Sequence, residues 1–276
     1  MKLEFLEVML IRTCNLSCQG CTTFSDLKYQ GYITWAQGRA WLEPWIKRIE
    51  LEGIGIMGGE PLINPEIREW LTGLRELMPN TQIRFNTNGL LLEKHWDVVD
   101  LLQQLGNTVF KISQHVYTPE LEKTIQRVFD SYDWQPVEEY GLKRWQGANQ
   151  NRFQIAQPKK FLKTFRNDYA DMAPHNNDPR AAFDLCIQKR CPMLHNGRLY
   201  KCGTVGLTPE LLERYARPNW DQWQPYLVPG LAPDCSDAEL EQYIQNFGKP
   251  HSLCRQCPTA QDLDSMIDHV STVVFK

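Results

Sequence analysis

Leu6-Glu7-Val8-Met9-Leu10-Ile11-Arg12-Thr13-Cys14-Asn15-Leu16-Ser17-Cys18-Gln19-Gly20-Cys21 begins apolar and ends on three cysteines at C-x3-C-x2-C spacing. The first half reads as a β-strand, being rich in apolar side chains. The second half, with Asn, Ser, Gln and Gly between the thiols, reads as a loop at the strand's C-terminal end. Three thiolates in one loop can each take one iron of a cubane cluster, and the next His or Cys in sequence is His95. Three protein ligands for four irons leave one iron open, as catalytic metal sites do and structural ones do not. A zinc knuckle would want a fourth ligand close by.

Outward from this stretch the same alternation continues. Apolar runs at Gly53-Ile54-Gly55-Ile56-Met57, Gln82-Ile83-Arg84-Phe85, Thr108-Val109-Phe110-Lys111-Ile112 and 151–156 alternate with helix-like segments near 34–50, 65–78, 92–105 and 118–131. Thr34, Pro65 after Asn64 and Pro119 after Thr118 supply helix-start signals. The pattern predicts βαβ units on a parallel sheet, open or curled. The expected fold is α/β over residues 1–157, followed by a linker over 158–185 and a small cysteine-rich domain over 186–276. In such folds reactive groups sit at the C-terminal ends of the strands. The cysteine loop, Met57-Gly58-Gly59-Glu60-Pro61, Asn86-Thr87-Asn88-Gly89 and Ser113-Gln114-His115 all fall there. Residues 186–276 are poor in periodic structure, so a metal staple would supply stability that their core cannot.

The bulk numbers narrow the class. In 276 residues, 42% are hydrophobic and 23% charged, the composition of an ordinary folded protein. A net charge of -3 leaves no global footprint for nucleic acid or an anionic membrane. The N-terminus lacks a signal peptide's basic-then-apolar pattern, and no stretch is long enough to span a bilayer, so a cytoplasmic protein without a membrane partner is expected. The nine cysteines fall in two groups, with none between Cys21 and Cys186. An odd number in a reducing compartment argues for metal binding over a disulfide framework.

The cysteine loop resembles the signature of the radical S-adenosylmethionine (radical SAM) superfamily, C-x3-C-x-aromatic-C after the first barrel strand. One departure is Gly20, which stands where the family has an aromatic residue near the adenine; the resemblance then hands nucleobase packing to Phe24. Met57-Gly58-Gly59-Glu60-Pro61 resembles the family's GGEP motif, which implies cofactor contacts from Gly58, Gly59, Glu60 and Pro61, the glycines letting backbone approach the methionine moiety. Asn86-Thr87-Asn88-Gly89 resembles the TNG segment and brings in Asn86 and Asn88; Ser113 falls where the family places polar contacts to the cofactor. The implied metal ligands are Cys14, Cys18 and Cys21, and the implied cofactors are a catalytic 4Fe-4S cluster and S-adenosylmethionine. A reductant such as flavodoxin or ferredoxin is the implied protein partner. The resemblance covers roughly residues 5–157 and implies that the α/β domain of residues 1–157 is a partial (β/α)6 TIM-type barrel.

The late group resembles the auxiliary-cluster domains called twitch and SPASM. Cys191 through Gly197 to Cys202 is similar to their hairpin, and Cys254-Arg255-Gln256-Cys257 supplies a C-x2-C pair. One second 4Fe-4S cluster is implied, held by Cys191, Cys202, Cys254 and Cys257, with Cys186 the rival to Cys191. Zinc stays open, since thiolate quartets serve both metals. Cys235 lies outside these groupings; as radical epimerases use a non-cluster cysteine to quench a product radical, it is the candidate catalytic hydrogen-atom donor.

The resemblance implies reductive cleavage of S-adenosylmethionine and hydrogen abstraction from a substrate. The basic-aromatic run of 141–167, with Lys143, Arg144, Arg152, Lys159, Lys160, Lys163 and Arg166 among Trp145, Phe153, Phe161 and Phe165, contains no acid. It suits a phosphorylated sugar- or nucleoside-like small molecule, with oxidation or epimerisation as the outcome. Two alternatives stay open: a radical SAM enzyme acting on peptide or nucleic acid, the latter not favoured, and a non-catalytic zinc or iron–sulfur module. The first strand begins within a few residues of Met1, which leaves no preceding leader-peptide-binding domain and weighs against peptide maturation.

Overall fold

Alternation decides which faces of the central strands are covered. In Gln82–Thr87, Ile83, Phe85 and Thr87 are buried while Gln82, Arg84 and Asn86 are less so, the period-two pattern of a sheet with two unlike faces. The computed structural model describes residues 1–139, 142–215, 219–262, 266–268 and 270–274. Its strands are β1 (Lys2–Leu3), β2 (Leu6–Ile11), β3 (Leu16–Cys18), β4 (Glu50–Leu51), β5 (Gly53–Gly58), β6 (Gln82–Thr87), β7 (Thr108–Ser113) and β8 (Gln135–Glu139). There follow β9 (Leu142–Gln146), β10 (Arg152–Ala156), β11 (Lys160–Leu162), β12 (Met193–His195), β13 (Arg198–Tyr200), β14 (Met266–Asp268) and β15 (Ser271–Val273). The helices are α1 (Trp35–Ile46), α2 (Ile67–Leu77), α3 (Trp96–Leu105), α4 (Pro119–Ser131), α5 (Pro179–Leu185), α6 (Gly203–Arg214), α7 (Trp220–Trp223) and α8 (Asp237–Gln245).

Local chemistry accounts for the helices. Thr34 caps α1 in a reciprocal box with Gln37, and Thr118 with Pro119 starts α4. In α2, Ile67, Trp70, Leu71 and Leu74 recur at one helical face and are buried. They pack on the side of the sheet where Phe85, Phe110 and Phe153 from three neighbouring strands stack at 6.4 and 5.3 Å. Each such ring contributes about 1.5–3 kcal/mol by burial.

The main sheet runs β13-β12-β2-β5-β6-β7-β10-β9-β8. Strands β12, β2, β5, β6, β7 and β10 are parallel neighbours, so the expected α/β fold with six parallel strands is present. Their order differs from a simple barrel series. Hairpin β8–β9 pairs antiparallel with the free edge of β10, and the last parallel strand, β12, pairs with β2 instead. Asn196 and Gly197, both at positive φ, make the two-residue turn into β13.

Residues 186–276, expected as a separate domain, thus contribute strands to the main sheet. Residues 158–185, expected as a linker, carry β11 and α5 and bury Phe165. Strand β14 pairs with β11 and β15 pairs with β3, directly beside the cysteine loop. Among the described residues no helix is long and apolar enough to cross a membrane.

Candidate functional site

A cavity of about 470 Å³ opens at the C-terminal ends of the parallel strands and reaches down their helix-free face. Cys14, Cys18 and Cys21 line its top, together with Gly58, Gly59, Asn86, Asn88 and Ser113. Glu7, Lys111 and Cys191 line it too, at positions further back along the strands. Cys191 precedes β12 and Ala156 ends β10, five strand steps away, or about 24 Å in a flat sheet; both border this one cavity.

The cysteine loop is seated by backbone. The amide of Gly59 donates to Ile11 O at 2.8 Å and that of Glu60 to Thr13 O at 3.0 Å. A Cβ on Gly58 would stand 2.1 Å from Ile11 O, and one on Gly59 2.2 Å from Thr13 O. The glycines were expected to admit the cofactor; the backbone they admit is that of the loop itself. Asn88 adds a side-chain tie, its Nδ2 donating to Asn15 Oδ1 at 2.7 Å. Burial pushes the Cys14 thiol up to about 12 and Cys18 up to about 11, shifts that thiolate–iron bonds would reverse.

Three expected cofactor contacts are corrected. Glu60 is fully buried beneath the cavity and accepts from Thr87 Oγ1 at 2.7 Å, Asn88 N at 2.7 Å and Leu62 N at 3.1 Å. It ties two strand ends together. Pro61, also buried, starts the short 3-10 turn that follows and does not border the cavity. Phe24 is 2% exposed and packs on Phe165, outside the cavity wall. The reason for the missing aromatic lies at Gly20: its φ is +75°, and a Cβ there would meet Ile267 Cδ1 at 2.6 Å and Phe161 Cβ at 3.3 Å. Strands β11 and β14 fill the space that the family's ring would take. Phe161 borders the cavity, its ring 5.6 Å from that of His115.

The loop is also covered from above. Ser271 Oγ lies 3.1 Å from Cys18 Sγ, Gln19 N donates to Val270 O, and Val274 N donates to Asn15 O.

The late cysteines sort differently from expectation. Cys186, Cys202, Cys254 and Cys257 line one small cavity, and Cys254 raises the thiol pKa of the other three, although Cys202 raises that of Cys191 as well. Cys191 is not among them. Pairing of β12 with β2 carries it beside Glu7, whose carboxyl pushes its thiol pKa up. Gln256 borders the quartet's cavity at 1% exposure with neither side-chain nitrogen nor oxygen hydrogen-bonded. Such an orphaned amide fits a polar group held between the thiols. Among the described residues no three His, Cys, Asp or Glu are arranged for a single ion; a cubane holds its thiolates further apart than one ion does.

Cys235 lies elsewhere. Its sulfur accepts from Arg48 Nη1 at 3.4 Å, just past α1, and it borders neither cavity. It cannot reach a substrate radical from there. The basic-aromatic run is likewise divided: Phe153 and Phe165 are buried and Trp145 packs edge-on against Phe129, leaving only Phe161 of its four aromatics at the cavity. No stacking platform for bases forms.

Sequence reading missed Glu7, Lys111 and Gln188, all on the cavity wall. Glu7 and Lys111 did leave a signal, each being the one charge inside an apolar strand run. Burial pushes the Glu7 carboxyl up to about 7 and lowers the Lys111 ammonium pKa, with Arg84 adding to the second effect.

Residues 8–140 match the model of the Radical SAM superfamily. The chain is 28% identical over 131 residues to a probable GTP 3',8-cyclase of Saccharolobus islandicus, covering 48% of this chain and 41% of that one. It is 34% identical over 86 residues to a pre-heme d1 synthase of Dinoroseobacter shibae, covering 31% of this chain and 21% of that one. The chain therefore spans less than half the length of these relatives. The structure of BtrN in complex with AdoMet and 2-DOIA superposes with a TM-score of 0.52 over 94% of both chains at 15% identity, a likeness of fold. Residues 8–140 are a radical SAM domain, of the superfamily that uses a 4Fe-4S cluster and S-adenosylmethionine.

Proposed function

We propose that this radical SAM enzyme takes a hydrogen atom from a small anionic substrate, sugar- or nucleoside-like, and oxidises or epimerises it. Bound at Cys14, Cys18 and Cys21, the cluster with S-adenosylmethionine supplies a carbon radical strong enough for that abstraction. The observation that carries the reading is the shared cavity, which both Lys111 and the three thiols line. Its volume is in the range of small-molecule sites.

The anionic character rests on charge. Lys111, Gln154 and Arg144 are directly paired across β7, β10 and β9, and Arg84 adds a further cation beside Lys111. Glu7, the carboxyl beside Lys111, has its charge disfavoured by burial, which pushes its pKa up to about 7. A phosphate or carboxylate fits such a surplus, and the matched cyclases are named for a nucleoside triphosphate. Cys186, Cys202, Cys254 and Cys257 hold a second 4Fe-4S cluster, with the N-terminus of α6 favouring thiolate at Cys202.

The test is anaerobic reconstitution followed by dithionite and S-adenosylmethionine. About eight irons per chain are expected for two cubanes, with 5'-deoxyadenosine as product. Colourless, zinc-loaded protein that forms none would overturn the reading. Inorganic phosphate, as a probe of the anion subsite, should raise the Tm of the wild type and not that of Lys111→Gln. Equal protection of both would remove the anionic substrate class.

A further inference from the structure

We propose that Cys191 is the hydrogen-atom donor of this cavity, returning hydrogen to the substrate carbon from the side opposite the cysteine loop. The inference rests on the reading just given and resolves it in favour of epimerisation.

The cavity has two ends. At the strands' C-terminal ends stand Cys14, Cys18 and Cys21. Cys191 enters from the opposite direction: β12 runs parallel to β2 with Met193 opposite Glu7, so Cys191 precedes its own strand and lies near the start of β2. The Pro192 carbonyl accepts from Glu7 N at 2.8 Å, fixing that placement by backbone. A substrate between the ends meets the abstracting radical on one face and the thiol on the other. Hydrogen lost from one face and regained on the other inverts the carbon. Asn86 Oδ1, on the cavity wall and without a hydrogen-bond partner among the described residues, is available to hold the substrate between them.

Chemistry suits the part. A thiol S–H bond is weaker than an ordinary C–H bond, so transfer to a carbon radical runs downhill. Cys191 remains a thiol because burial and the neighbouring Glu7 carboxyl both push its pKa up. The S–H bond breaks homolytically, a C–H bond forms, and sulfur is left as a thiyl radical. One electron from a reductant protein of the flavodoxin or ferredoxin class and one proton from the Glu7 carboxyl restore the thiol. Glu7 is then reprotonated from solvent.

The experiment uses the intact reconstituted chain and two readouts. Iron per chain should stay at the wild-type level in Cys191→Ala and fall by about half in Cys186→Ala, as expected for one of two cubanes. Cleavage of S-adenosylmethionine in deuterated solvent, without substrate, should place solvent deuterium in 5'-deoxyadenosine, because S–D exchanges with water and C–H does not. Per molecule of 5'-deoxyadenosine formed, that label should drop to background in Cys191→Ala.

Loss of half the iron in Cys191→Ala or label unchanged by the substitution would each overturn the proposal. Absence of 5'-deoxyadenosine from every variant would instead overturn the enzyme reading beneath it.

Discussion

The two sulfur-rich regions are built on opposite plans. Cys14, Cys18 and Cys21 come from one loop, and what holds that loop is main chain from elsewhere: Gly59 and Glu60 below, Val270 and Val274 above. Cys186, Cys202, Cys254 and Cys257 come from three separate segments, the end of α5, the start of α6 and the short helix at Ser252–Gln256. In the first region spacing along the chain supplies the ligand set and tertiary structure supplies its seat. In the second, tertiary structure supplies the ligand set itself. The first should therefore fail when its seat is disturbed, and the second when any one segment is displaced.

The largest effect tests the first plan directly. Replacing Cys14, Cys18 and Cys21 together by Ala should abolish 5'-deoxyadenosine formation, assayed by chromatography, while iron at the quartet remains. Gly59→Ala comes next, although it removes no ligand. Its Cβ would collide with the Thr13 carbonyl, and a displacement of about 1 Å in the loop should cost on the order of a hundredfold in rate. A variant as active as wild type would show that the seat is not needed.

Smaller is Glu60→Gln. The amide turns a donor toward one of three donors, and thermal unfolding should show a loss of about 1–3 kcal/mol. Smallest is a pH effect at Glu7. Its folded pKa, about 7 against an ordinary 4.5, means stability is fully present below about 4.5 and is lost as pH rises through 7. The difference in unfolding free energy between Glu7→Gln and wild type should grow over that interval, reaching at most about 3 kcal/mol. A difference constant with pH would mean that Glu7 is charged throughout.

Much of this was readable in advance, and the limit is physical. The strands announced themselves because each is apolar on the helix-covered face, as in Leu6, Val8 and Leu10. The first cysteine loop was readable because its ligand set is local. Cys186 and Cys191 are only five positions apart, and nothing in their spacing separates them. The choice is made by the pairing of β12 with β2, which draws Cys191 to Glu7 and leaves Cys186 at the end of α5. Gly58 and Gly59 were rightly singled out, but sequence does not say which backbone comes close. Gly20 looked like a lost aromatic; the ring space had passed to Phe161 and Ile267.

The cover over the cysteine loop has a consequence in time. Ser271 lies 253 positions along the chain from the Cys18 sulfur that it faces. On a ribosome that separation is on the order of 10 to 50 s. For that interval the loop emerges without β15 and without the β14 side chain that fills the space beside Gly20, so its thiols are open to iron delivery and to oxidants alike. Closing the loop is among the last events of folding, and it can follow loading of the metal. A donor of iron and sulfide acting during synthesis would meet an open site, whereas one acting afterwards would first have to lift residues 270–274 from their strand.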